Sequence, residues 1–197
     1  MNIEFIIPTY NRPKHLKTIV CSLLTQNDSN WIAHIVGDNM EGEVLEEVKQ
    51  FLEFINDDRI KFTNLPERHN DWGHTPRNYG LDHATGDWIV MTGEDNYYVP
   101  TFVKNFLNEA RVKKTDFVFC SFIYNQAQLG DVYYPMKARL EYQSIDIGCY
   151  SFRRDKLNNI RLRTNMAEAD YYFMTDYLTQ EDDMTAAYID EILYVHN

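Results

Sequence analysis

The order of hydrophobic patterns is what most constrains this chain. Short apolar runs alternate with segments whose apolar positions recur at helical spacing. Ile3–Pro8 reads as a strand stopped by a proline. Pro13 suits the first turn of a helix, where a missing N–H costs nothing, and Leu16, Ile19, Val20, Leu23 and Leu24 mark its inner face. Trp31–Gly37 is a second strand, and Asp38–Gly42 is a loop. Val44–Ile55 is a second helix with Val44, Leu45, Val48, Phe51, Leu52 and Ile55 on one face. Arg59–Leu65 is a third strand, Thr75–His83 a short helix, and Asp87–Met91 a fourth strand. Thr101–Val112 and Asp116–Tyr124 continue the alternation. This order predicts an α/β fold with a doubly wound, mainly parallel sheet and helices on both faces.

Beyond Asn125 the pattern loosens. Tyr133–Pro135 and Ser144–Ser151 suit strand or loop, Ala167–Leu178 a helix, and Ile189–His196 a last strand. A length of 197 residues with no linker-like stretch points to one domain spanning 1–197. No run approaches the roughly 18 apolar residues that a membrane span needs.

The formal charge of −11 argues against nucleic acid as a partner, which calls for a basic footprint. It also means that a phosphate ligand would need a local cation. Cys21, Cys120 and Cys149 are far apart and form no CxxC pair, so they read as reduced, buried thiols of a cytoplasmic protein. Attachment at the periphery of a membrane stays open.

Thr92–Tyr98, with Glu94, Asp95 and Asn96, leaves the fourth strand at its carboxyl end. Hard cations want oxygen ligands, and in open α/β sheets ligands gather at that end of the strands. A plain polar turn would use the same residue types. Three more loops follow apolar strands: Thr9-Tyr10-Asn11-Arg12, Asp38-Asn39 and Pro66–Gly73. Asp38 can accept from a base or ribose donor, and Arg77 can pair with phosphate. Neither GxGxxG nor GxxxxGK[ST] is present, so a metal at Asp95 is the simplest way to hold a diphosphate.

Together these stretches resemble the family 2 glycosyltransferases, which have the Rossmann-like GT-A fold. The resemblance is carried by Ile6–Arg12, Val36–Asn39, Pro76–Leu81 before Ala84–Ile89, and then Glu94-Asp95-Asn96 with Pro100 beyond. It is strong over roughly the first 110 residues and weaker after them. It implies a donor half, 1–112, and an acceptor half, 113–197. It also implies inverting, metal-dependent transfer from a nucleotide-diphosphate sugar, UDP-linked in the first instance, to a hydroxyl of a glycan or other acceptor. Pro8, Thr9, Tyr10, Asn11, Arg12, Asp38, Asn39, Arg77, Glu94 and Asp95 would then line the donor site. Asp95 would hold Mn2+ or Mg2+, with Glu94 on the ribose side and His196 as a further ligand. Gly93 departs from the family pattern, standing where many members carry the first Asp of D-x-D, and Gly37 departs where a paired Asp is common.

The resemblance places a general base near the start of a late helix. Glu168 and Asp170 both qualify, and residues two apart on a helix point about 200° apart, so one would face the cleft. Asp146–Gly148 and Tyr150 could line the acceptor side or serve in core or loop, and Trp72 and Tyr98 could stack on a sugar or be buried. His69, His74 and His83 suit surface roles. Two alternatives remain: a noncatalytic sugar-nucleotide-binding module, and a sugar nucleotidyltransferase, which would want a glycine-rich basic loop after the first strand. The chain is short for the family, so it could be one domain of a larger polypeptide.

Overall fold

A computed structural model of the chain describes all residues except 127–129 and 131. Strand β1 (Ile3–Thr9) is buried along its whole length. That is the signature of a central parallel strand covered on both faces. Strands β2 (Trp31–Gly37) and β4 (Trp88–Met91) flank it in parallel, and β3 (Ile60–Asn64) pairs beyond β2. Helices α1 (Pro13–Leu24), α2 (Gly42–Ile55) and α3 (His74–Asp82) connect these strands. The chain therefore steps outward from β1 to β3 and returns to β4 on the other side of β1. Ligand crevices open at such reversals, beyond the carboxyl ends of the strands.

The second half adds mixed pairing to this parallel half. After α4 (Phe102–Lys113), strand β6 (Phe117–Gln126) runs parallel to β9 (Ala186–His196). Strand β8 (Tyr150–Arg153) joins β4 to β6, antiparallel to both. Strand β7 (Val132–Met136) pairs with the far half of β6. The two-residue strand β5 (Tyr97–Tyr98) lies antiparallel to the end of β9. The expected loop around Tyr97 is thus a short ladder, too brief to leave a periodic trace in sequence. Helix α5 (Ala169–Thr179) begins two residues later than expected. A single buried cluster extends from Ile3 to Tyr194.

All three cysteines are free, and Cys21 is exposed rather than buried, because it sits on the outer face of α1. Among the described residues no helix is long and apolar enough to cross a membrane.

Candidate active site

The ends of β1 and β4 converge on one cleft of about 430 Å3. Glu94 reaches back across the reversal: Thr9 Oγ1 donates to it, and the Tyr10 N–H donates at 3.2 Å. Burial pushes Glu94 up to about 7, against these hydrogen bonds and the Arg12 charge. Arg12 Nη1 donates to Asp95 Oδ2 at 3.0 Å, and Arg12 Nε stands 4.0 Å from Glu94 Oε1. A Cβ on Gly93 would meet Asp95 Oδ1 at 2.8 Å and the Asn96 amide at 3.1 Å. The side chains of Asp95 and Asn96 fold back over Gly93, so a side chain there would have to displace them.

Asp38, also in this cleft, is already engaged. It accepts from the His69 N–H at 2.9 Å, the Asn70 N–H at 3.1 Å and the Arg68 guanidinium, so it organises the loop after β3. Arg68 in turn lies over the Tyr10 ring, 3.3 Å from its centroid. The departure at Gly37 also has a physical reason. A Cβ there would come 2.5 Å from Asn64 Oδ1, and Asn64 clamps Met40 through both its N–H and C=O at 2.9 Å. Arg77 is buried and donates to Thr92 O at 3.0 Å and Trp72 O at 2.8 Å while lining the cleft. Of the expected donor-site residues, Pro8, Thr9, Tyr10, Arg12, Asp38, Arg77, Glu94 and Asp95 line this cleft. Asn11 and Asn39 do not. Both adopt left-handed backbone, with φ of 53° and 55°, a conformation that asparagine tolerates in turns.

A second cleft of about 720 Å3 contains Asp146, Glu168, Asp170 and His196. Glu168 precedes α5 rather than lying on it, so helical spacing does not separate the two candidate bases, and both line the cleft. Asp170 is the more enclosed: burial, then the like charge of Asp146, pushes it up to about 6. His196 Nδ1 stands 2.8 Å from Asp146 Oδ2. Burial opposes the charge on each partner. Their mutual attraction nevertheless holds the imidazole above its usual range and, with the Gly148 N–H donating at 2.9 Å, the carboxyl below its own.

The β5–β9 ladder places the end of the chain beside the Gly93–Asn96 turn. The Asn197 N–H donates to Asn96 Oδ1 at 3.2 Å, which makes the two clefts neighbours. The structure separates the two readings left open for Tyr98 and Trp72. Tyr98 is fully buried with its hydroxyl on Gly148 O at 3.0 Å, whereas Trp72 is 62% exposed at the first cleft. His74 is buried, with Nε2 3.1 Å from Met166 O, because it anchors the segment that leads into α5. Tyr150 is likewise buried, its hydroxyl donating to Asp170 O at 3.3 Å.

Asp95 and His196 offer a carboxylate and an imidazole, a donor set that suits Mn2+. Among the described residues no three His, Cys, Asp or Glu side chains converge on one point. A cation here would therefore draw its remaining ligands from diphosphate oxygens and water, as Mg2+ commonly does.

The family model described as "Glycosyl transferase family 2" matches residues 4–175. An uncharacterized glycosyltransferase of Haemophilus influenzae is 24% identical over 189 residues, covering 90% of this chain and 72% of the relative. The crystal structure of S. aureus TarS 1-349 in complex with UDP-GlcNAc superimposes with a TM-score of 0.78 at 18% identity, over 99% of this chain and 58% of that one. The mannosyltransferase PcManGT from Pyrobaculum calidifontis, in complex with GDP-Man and Mn2+, gives 0.75 at 16% identity, over 99% of this chain and 56% of that one. The two superpositions show a shared GT-A fold. Together with the family match across most of its length, they mean that this chain belongs to glycosyl transferase family 2.

Proposed function

We propose that this chain transfers a sugar from a nucleotide-diphosphate sugar to an acceptor hydroxyl, with inversion at the anomeric carbon and with dependence on a divalent cation. The observation that carries this reading is the adjacency of two unlike clefts. One has Glu94 and Asp95 at the reversal of the sheet, and the other has the enclosed carboxyl Asp170. Residues 1–112 supply most of the donor side and 113–197 most of the acceptor side of one domain.

Thr9, Tyr10, Asp38 and Glu94 would hold the base and ribose. Arg12, Arg68 and Arg77 line the donor cleft together with Asp38, Glu94 and Asp95, so acids offset much of the arginine charge before a diphosphate enters. Asp95 and His196 would hold Mn2+ or Mg2+, which would supply Lewis acidity against that added charge. Asp170 takes the proton of the acceptor hydroxyl as its oxygen attacks the anomeric carbon. The bond from that carbon to the diphosphate oxygen breaks, and its electron pair leaves with the nucleoside diphosphate. A base works best when its pKa lies near the working pH, and burial moves Asp170 in that direction.

The S. aureus structure is in complex with UDP-GlcNAc and the archaeal one with GDP-Man, so both nucleotides belong in the first screen. The free thiols fit a reducing compartment, and we place the protein in the cytoplasm. The test is nucleotide release from UDP-GlcNAc, UDP-Glc, UDP-Gal and GDP-Man, with Mn2+ or EDTA, and NMR of the product anomer. The reading expects release with Mn2+, its loss with EDTA, and an inverted product. Full activity in EDTA, or a retained anomer, would contradict it.

A further inference from the structure

The acceptor cleft has a chemical character that sugar transfer alone does not require. Tyr124, Tyr134, Tyr142 and Tyr171 line it. Tyr142 and Tyr171 meet edge to face with centroids 5.4 Å apart. Tyr124 lies parallel to the His196 ring at 4.9 Å and meets Tyr134 at 5.6 Å. Tyr142 keeps 49% of its surface exposed and Tyr134 keeps 36%, so broad amphipathic faces remain open. Tyrosine offers a large apolar face with a polar tip, which matches the alternating C–H and O–H surface of a sugar ring.

Carboxylates outnumber cationic groups in the lining of this cleft. Its carboxylates are Asp146, Glu168 and Asp170, with His196 paired to the first. Among the described residues no lysine or arginine lines it, and the sequence 127–131, Ala-Gln-Leu-Gly-Asp, contains none. Basic side chains on the flanking segments are paired with acids: Lys137 with Asp190 at 3.7 Å, Arg139 with Glu141 at 3.8 Å and Arg163 with Asp176 at 2.9 Å. The amino end of α5 could otherwise hold an anion, but Glu168 and Asp170 already occupy it. Proteins recognise phosphate and carboxylate through arginine, lysine and such helix ends. The donor cleft, by contrast, has three arginines.

We infer that the acceptor is an uncharged saccharide, stacked on the tyrosines and hydrogen-bonded through its hydroxyls to the carboxylates, and that phosphorylated or carboxylated acceptors are excluded. This rests on the transferase reading and narrows its acceptor.

Matched pairs test it. Transfer is measured to neutral alkyl pyranosides and disaccharides, and to the same sugars carrying one phosphate away from the receiving hydroxyl. Donor hydrolysis without acceptor is followed in parallel. The neutral member of each pair should have a kcat/KM about tenfold or more higher, from like-charge repulsion, and salt should narrow the gap. Tyr142→Ala should raise the neutral acceptor's KM several-fold with kcat little changed. Tyr142→Arg should move the preference toward the phosphorylated member. Equal or better use of phosphorylated acceptors would overturn the inference. Donor hydrolysis with no transfer to any neutral saccharide would overturn it too, while leaving the donor site standing. Neither binding nor hydrolysis of any donor would overturn the transferase reading, and the inference with it.

Discussion

Asp170→Asn should separate stability from turnover. Burial, reinforced by Asp146, moves the Asp170 carboxyl from 3.8 to about 6. A carboxyl whose folded pKa lies above its unfolded one weakens the fold at any pH above both, and that cost disappears below the lower value. The full shift corresponds to about 3 kcal/mol at 1.36 kcal/mol per unit. Asp170 is partly open to the cleft, and solvent screening there reduces the expectation to about 1–2 kcal/mol. Asparagine keeps the shape and cannot ionise. At pH 8 the variant should therefore be more stable by about 1–2 kcal/mol, or about 2–8 °C in Tm for a chain of this size. The advantage should shrink between pH 6 and pH 4 and vanish below. Glu94, itself pushed up to about 7, is common to both proteins, so its titration cancels in the difference. Urea unfolding at pH 8, 6 and 4 reads the effect. Turnover should fall by about 10²–10⁴, the usual contribution of a general base. In the wild type log kcat/KM should climb with pH to about 6 and then level. A variant less stable at pH 8, or with the same difference at pH 8 and 4, would refute the burial argument. Retained turnover would refute the role as base.

Other perturbations have different signatures. Gly37→Asp, which restores the acid common at this position in the family, should weaken both fold and nucleotide binding. Its Cβ collides with Asn64, and displacing that clamp costs about 1–3 kcal/mol in thermal or urea unfolding. Asn78 bonds Leu162 reciprocally, at 2.9 Å in each direction. Asn78→Ala should lower stability by about 1–3 kcal/mol and loosen the segment before α5, read by hydrogen exchange across 162–170. Arg77→Ala leaves the Thr92 and Trp72 carbonyls short of a donor, and should cost about 1–3 kcal/mol for each group left buried without a partner. If urea midpoints for Arg77→Ala match the wild type, Arg77 serves phosphate alone.

The alternating half of the fold was legible because each element there is long enough to carry a period. Strand β1 announces burial by its unbroken apolar run, and α1 by its five apolar positions. Strand β5 has only two residues, and its pairing with β9 is a contact nearly 100 positions distant, so no local pattern encodes it. Eight of the ten expected donor-site residues line one cleft, while Asn11 and Asn39 sit in left-handed turns outside that lining. Arg68 and Asn64 were missed. Both act through partners about 25 to 30 residues away, Asp38 and Met40, and nothing in a single sequence links them. His74 looked like a surface histidine because α3 is polar overall, and only the packing of residues 162–166 against it buries the ring.

Calorimetric titration of donor tests the central claim most directly. UDP-GlcNAc and GDP-Man are titrated into wild type and Asp95→Ala, each with Mn2+ and with EDTA. The account predicts that one donor binds the wild type at least about tenfold more tightly with Mn2+, and that Asp95→Ala removes this gain while its melting temperature stays close to the wild type's. Donor binding that is indifferent to Mn2+, or a gain that survives Asp95→Ala, would contradict it.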